Sequence, residues 1–126
     1  MKLIYLDEND KKNIAHYSPA VEHNNILYIS GQLPIQKGMK SSPSDDIEKQ
    51  TEIILEKLKE ILIVAESDID KVLRTTIYVT DIEQWDKVNA VYAKFFGDHR
   101  PARTIVPTKT LHYNCLIELD AIAYIK

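Results

Sequence analysis

Cysteine and glycine are almost missing from this chain, which has one Cys and three Gly in 126 residues. The single thiol, Cys115, has no partner for an internal disulfide and no Cys or His at metal-ligand spacing. A disulfide scaffold is excluded, and a reducing, cytoplasmic setting is expected. His16, His23, His99 and His112 are scattered without a zinc pattern, so no metal is expected. There is no Gly-rich phosphate loop and no Gly-x-Ser-x-Gly nucleophile elbow. Positive charge is not in excess either. Sixteen Lys+Arg face nineteen Asp+Glu, for a net charge of −3 with no basic block, so nucleic acid is not an expected partner. No apolar run is long enough to cross a bilayer, and the N-terminal apolar stretch turns acidic at Asp7, so no membrane partner is expected.

What is present suffices for one core. Hydrophobic residues make up 44% and charged residues 28% of the chain, and no repeat or linker divides it, so residues 1–126 are read as a single domain. Leu3–Leu6 and Ile26–Ser30 read as strands, the second ending at Gly31. Asp45 with Glu48 resembles a capping box, after which Ile47, Thr51, Ile54, Leu58, Ile61, Leu62 and Ala65 recur at helical spacing. Val72–Val79 alternates with period two, Leu73, Thr75, Ile77 and Val79 on one face and Val72, Arg74, Thr76 and Tyr78 on the other. Asp81 is the expected cap of a second helix whose apolar stripe is Trp85, Val88, Tyr92, Phe95 and Phe96, stopped by Gly97. Ala102–Val106 and Leu116–Ile125 complete a ββαβαββ order, predicting an α+β domain with two helices on one face of a mixed sheet.

Two charged residues interrupt apolar strands. Arg103, in Pro101-Ala102-Arg103-Thr104-Ile105-Val106, has the planar fork suited to bidentate recognition of a carboxylate. A structural pair with Asp98, Asp120 or another acid is the alternative. Glu118 shares strand parity with Leu116, Asp120 and Ile122. If that face lines a pocket, the carboxylate is placed to orient water and move protons, with a pKa raised by partial burial. If not, Glu118 and Asp120 simply face solvent. Tyr17, the Ser30-Gly31 turn and Asn89 in the second helix are weaker candidates, since each has an ordinary structural role. Cys115 lies at the start of a strand, not in the positive, exposed setting that activates a thiol.

In order and spacing, six segments resemble the Rid/YjgF family from Ala15 to Tyr124: Ser30-Gly31-Gln32-Leu33-Pro34; Asp46-Ile47-Glu48-Lys49-Gln50-Thr51; Thr75-Thr76-Ile77-Tyr78-Val79-Thr80-Asp81; Val88-Asn89-Ala90-Val91-Tyr92; Pro101-Ala102-Arg103-Thr104; and Ile117-Glu118-Leu119-Asp120-Ala121-Ile122-Ala123. The resemblance implies a chorismate-mutase-like domain that forms a homotrimer with sites between subunits. It implies cofactor-free hydrolysis of 2-imino acids to 2-keto acids and ammonia, as in 2-iminobutanoate/2-iminopropanoate deaminases. By the same resemblance Arg103 clamps the substrate carboxylate and Glu118 positions or activates the water. Tyr17, Ser30, Gly31 and Asn89 then line the cleft. Ile105 stands where the family often has Cys, a position whose backbone contacts substrate. Ser67 replaces a usual Gly, and Leu111-His112-Tyr113-Asn114 replaces a Leu-Pro turn. A keto-acid-binding or regulatory module is the second reading, and an RNA-cleaving translation inhibitor, disfavoured by the charge, is the third.

Overall fold

A computed structural model describes all 126 residues, and six strands and two helices follow one another in the order βββαβαββ. The strands are β1 Lys2–Ile4, β2 Ala20–His23, β3 Ile26–Gln32, β4 Val72–Val79, β5 Ala102–Pro107 and β6 Ile117–Tyr124. The helices are α1 Ile47–Val64 and α2 Trp85–Phe96. They form one mixed sheet in the order β1-β2-β3-β6-β4-β5, antiparallel throughout except for the parallel pair β4 and β5. Both helices pack on the same face, which is the expected α+β arrangement.

The added strand is β2. Its four residues, Ala20-Val21-Glu22-His23, carry too little apolar alternation to be read alone. They pair with β3 through the two-residue turn Asn24-Asn25, whose φ values of 53° and 63° are those of a primed hairpin turn. The first strand is correspondingly Lys2–Ile4, not Leu3–Leu6.

Helix α1 starts one residue later than expected. Asp46 rather than Asp45 is the cap, its Oδ2 accepting from the Lys49 amide at 3.2 Å. The helical stripe buries Ile54, Leu55, Leu58, Ile61 and Leu62 almost completely. Leu58→Ala leaves a cavity in this stripe and is expected to cost about 2–5 kcal/mol of stability in denaturant titrations. A loss below about 1 kcal/mol would mean that the core collapses around the missing side chain.

Asp81 caps a single turn at Ile82–Gln84, its Oδ1 accepting from the Glu83 amide at 3.0 Å, and this turn leads into α2. In β4 the alternation breaks at a register shift between Val72 and Arg74. Val72 therefore joins Thr75, Ile77 and Val79 on the buried face while Leu73 is exposed, reversing the expected places of the first two residues. Strand β6 alternates without interruption, with Ile117, Leu119, Ala121 and Ala123 under the helices and Glu118, Asp120, Ile122 and Tyr124 on the open face. That parity places Glu118 on the open face.

Candidate active site

Arg103 is on edge strand β5, level with Thr75 of β4, and its side chain follows Thr75 onto the helix-covered face. There it meets α2. One guanidinium nitrogen donates to Asn89 Oδ1 at 3.0 Å, and the guanidinium carbon lies 4.7 Å from the Tyr92 ring centre and 5.2 Å from that of Trp85. Tyr92 is itself fixed by the 2.8 Å hydrogen bond between its hydroxyl and Thr75 Oγ1. No carboxylate pairs with Arg103: neither Asp98 nor Asp120 forms an ion pair with it. A half-buried cation is thus held by neutral groups, with most of its five donors unused.

Glu118 is half-buried on the opposite, open face, opposite Tyr78 in the neighbouring strand. Burial pushes its carboxyl above the usual range, the like charge of Asp120 adds to this, and His112 opposes it. Gly31 lies directly against the carboxylate: a Cβ there would overlap Glu118 Oε2. The glycine is needed for this close approach, since its φ is not in the left-handed region. For a Glu118 that acts on substrate, Gly31→Ala, which displaces the tip of a flexible side chain, is expected to fold normally and to lower kcat about 10–100-fold through misplacement of the carboxylate. Unchanged kcat in a steady-state assay would show that the position of Glu118 does not matter.

Tyr17 and Gly31 share a cleft of about 590 Å³ with His112 and Tyr113. Ser30 is used structurally, its hydroxyl donating to Ser18 O at 2.7 Å and its carbonyl accepting from Gln32 Nε2 at 2.9 Å. Asn89 holds Arg103, as described above, and Ile105, two residues along β5, packs against the core edge. A larger cleft of about 790 Å³, between the 35–37 loop and the outer side of α1, contains none of these residues. Lys57 crosses beneath that loop, its ammonium donating to Leu33 O at 2.8 Å and Ile35 O at 3.1 Å, and burial pushes its pKa down. Cys115 is buried and its thiol is pushed up, which is unlike an activated nucleophile. No three His, Cys, Asp or Glu side chains converge as a metal-binding group.

The site residues therefore form two groups: Arg103 with Asn89 and Ile105 on the helix side of the edge strand, and Glu118 with Gly31 and Tyr17 toward the other side. Within one chain the two catalytic candidates lie on opposite faces of the sheet and do not meet. Nothing in the sequence marks Trp85 and Tyr92 as partners of Arg103, because an apolar helical stripe looks the same whether or not a cation covers it.

Residues 8–125 match the endoribonuclease L-PSP family. A RutC family protein from Pyrococcus horikoshii is 40% identical over 98% of both chains. The structure of the conserved Rid family protein YyfA from Yersinia pestis is 36% identical over 98% of each chain, with a TM-score of 0.88. Escherichia coli TdcF, solved with bound serine, is 27% identical over 98% of each chain, with a TM-score of 0.86.

Proposed function

The chain belongs to the endoribonuclease L-PSP family, the YjgF/Rid proteins, and on that premise we propose that it hydrolyses 2-imino acids such as 2-iminobutanoate and 2-iminopropanoate. The observation that carries this reading is Arg103: a half-buried guanidinium, oriented by Asn89 and two aromatic rings, with no acid of its own to neutralise it. Such a group is prepared for a carboxylate, which every 2-imino acid carries. Serine bound to TdcF fits the same chemistry of carboxylate beside nitrogen.

The protonated imine carbon is already electrophilic, so the protein's task is to place water and transfer protons. Glu118, with its raised carboxyl pKa, takes a proton from the attacking water and returns one to nitrogen. The C–N bond of the carbinolamine then breaks, releasing ammonia and leaving the 2-keto acid. No metal or organic cofactor enters these steps.

Because Arg103 and Glu118 face opposite ways in one chain, a site using both takes Arg103 from one copy and Glu118 from another. A homotrimer with its sites between subunits satisfies this requirement. Tyr17 and Gly31 then contribute cleft surface beside Glu118, Ser30 braces the backbone before Gly31 through its bonds to Ser18 and Gln32, and Asn89 and Ile105 shape the Arg103 side. The buried, unpaired Cys115 suits a reducing cytoplasm, and no helix is long and apolar enough to cross a membrane. The net charge of −3 gives no general attraction for RNA, so RNA cleavage ranks last despite the family's name.

The test generates 2-iminobutanoate with a threonine dehydratase and follows imine loss with and without the protein. Acceleration supports hydrolysis. The serine in TdcF also favours a second reading, a metabolite-binding module, which stoichiometric keto-acid binding without any imine turnover would establish.

A further inference from the structure

Arg103 holds a carboxylate and Glu118 moves protons, but neither receives the rest of the substrate. One wall of the cleft is free for that task. His112 and Tyr113 occupy the connection between β5 and β6, with ring centres 3.8 Å apart and planes inclined by 32°. Their backbone is unusual: Tyr113 and Asn114 have φ values of 57° and 54°, two successive left-handed residues of which neither is glycine. For a bulky side chain that conformation is unfavourable, and strain of this kind is retained where a site uses it. It does not serve the core, because Tyr113 is 36% and Tyr17 60% exposed.

All three rings line the same cleft as Gly31, the residue in contact with the Glu118 carboxylate. From Gly31 the cleft continues past Leu33, Ile35 and Met39, apolar side chains set among polar ones such as Gln32, Gln36 and Lys40. Its volume of about 590 Å³ lies within the range of pockets for drug-sized ligands, far more than a three-carbon acid fills. We infer that Tyr17, His112 and Tyr113 form a side-chain subsite that favours 2-imino acids carrying an aromatic or long apolar group over those derived from alanine or threonine. This rests on the deaminase reading for its chemistry. The subsite itself rests on the aromatic wall. Stacking between rings and burial of added methylenes both discriminate in the same direction, by about tenfold or more.

The experiment compares 2-imino-3-phenylpropanoate with 2-iminopropanoate. Both are made from the D-amino acids by a flavin amino-acid oxidase, with catalase removing peroxide and semicarbazide trapping the imine that survives. Wild type is expected to show a kcat/KM ratio of about ten or more in favour of the phenyl substrate, collapsing in Tyr113→Gly and His112→Ala. Glycine adopts φ 57° without strain, so Tyr113→Gly should fold at least as stably as wild type. A purely structural role for Tyr113 would change Tm and leave the ratio intact. A ratio near one in wild type, or one unaltered in the folded variants, overturns the subsite. If neither imine is hydrolysed, the deaminase reading fails, and calorimetric affinities for 3-phenyl-2-oxopropanoate against pyruvate then decide the subsite: equal affinities overturn it, and a preference lost in Tyr113→Gly supports it.

Discussion

Arg103→Ala is expected to lower kcat/KM for 2-iminobutanoate by about two to four orders of magnitude, the loss of two charge-assisted hydrogen bonds of about 1.5–3 kcal/mol each. The estimate applies because the guanidinium is not consumed elsewhere: its protein partners are one amide oxygen and two ring faces. Arg103→Lys keeps the charge but neither the fork nor the guanidinium's contact with the Tyr92 ring, so it restores only part of the rate. The measurement is imine loss in the coupled dehydratase assay, with thermal melts to show that each variant folds. Near-wild-type turnover by a folded Arg103→Ala would remove Arg103 from the site. Mixing inactive Arg103→Ala with inactive Glu118→Gln subunits adds a test of the shared site. Recovery of activity on subunit exchange requires that the two residues come from different copies.

Glu118→Gln is expected to reduce kcat by about 10²–10⁴-fold with a much smaller change in KM, as fits removal of a proton-transfer group. Its pH behaviour is a further test. Burial, followed by the charge of Asp120, favours the neutral carboxyl in the folded chain, while His112 works against both. The folded protein therefore holds this proton more tightly than the unfolded one. Stability from this group is greatest at low pH and falls as pH rises from the ordinary carboxylate range through the raised folded value. Gln cannot ionise, so the variant should melt above wild type at about pH 7 and lose that advantage below about pH 4. The wild-type rate should also begin to fall, on acidification, above the pH at which an ordinary carboxylate protonates. A Tm difference that is the same at both pH values would contradict burial as the cause.

The parts legible in the sequence were those governed by local periodicity. The stripe from Ile47 to Ala65, the stop at Gly97 and the alternation of β6 each report which face of an element is buried, and the structure keeps all three. Strand β2 escaped because its four residues have no apolar alternation and depend on their ladder to β3. The exchange of Val72 and Leu73 escaped because a register shift is a property of paired strands, not of one strand's sequence. At the site, Arg103 and Glu118 were visible as charges out of place in apolar strands. Their surroundings were not. Asn89 and Tyr92 lie 14 and 11 residues before Arg103 in the sequence, and only the packing of α2 over β4 and β5 brings them to it.

By itself the sequence determined the helices, five of the six strands, the absence of the common phosphate, zinc and serine-nucleophile motifs, and the two charged residues on which the proposed chemistry depends. Those features follow from residue type and spacing along one chain. The tertiary structure decided the strand order, the lack of an acid partner for Arg103, the contact between Gly31 and Glu118, and the separation of the two groups onto opposite faces of the sheet. Each of these depends on which strands are neighbours and which face the helices cover, and that is settled by long-range burial and pairing rather than by any local run of residues.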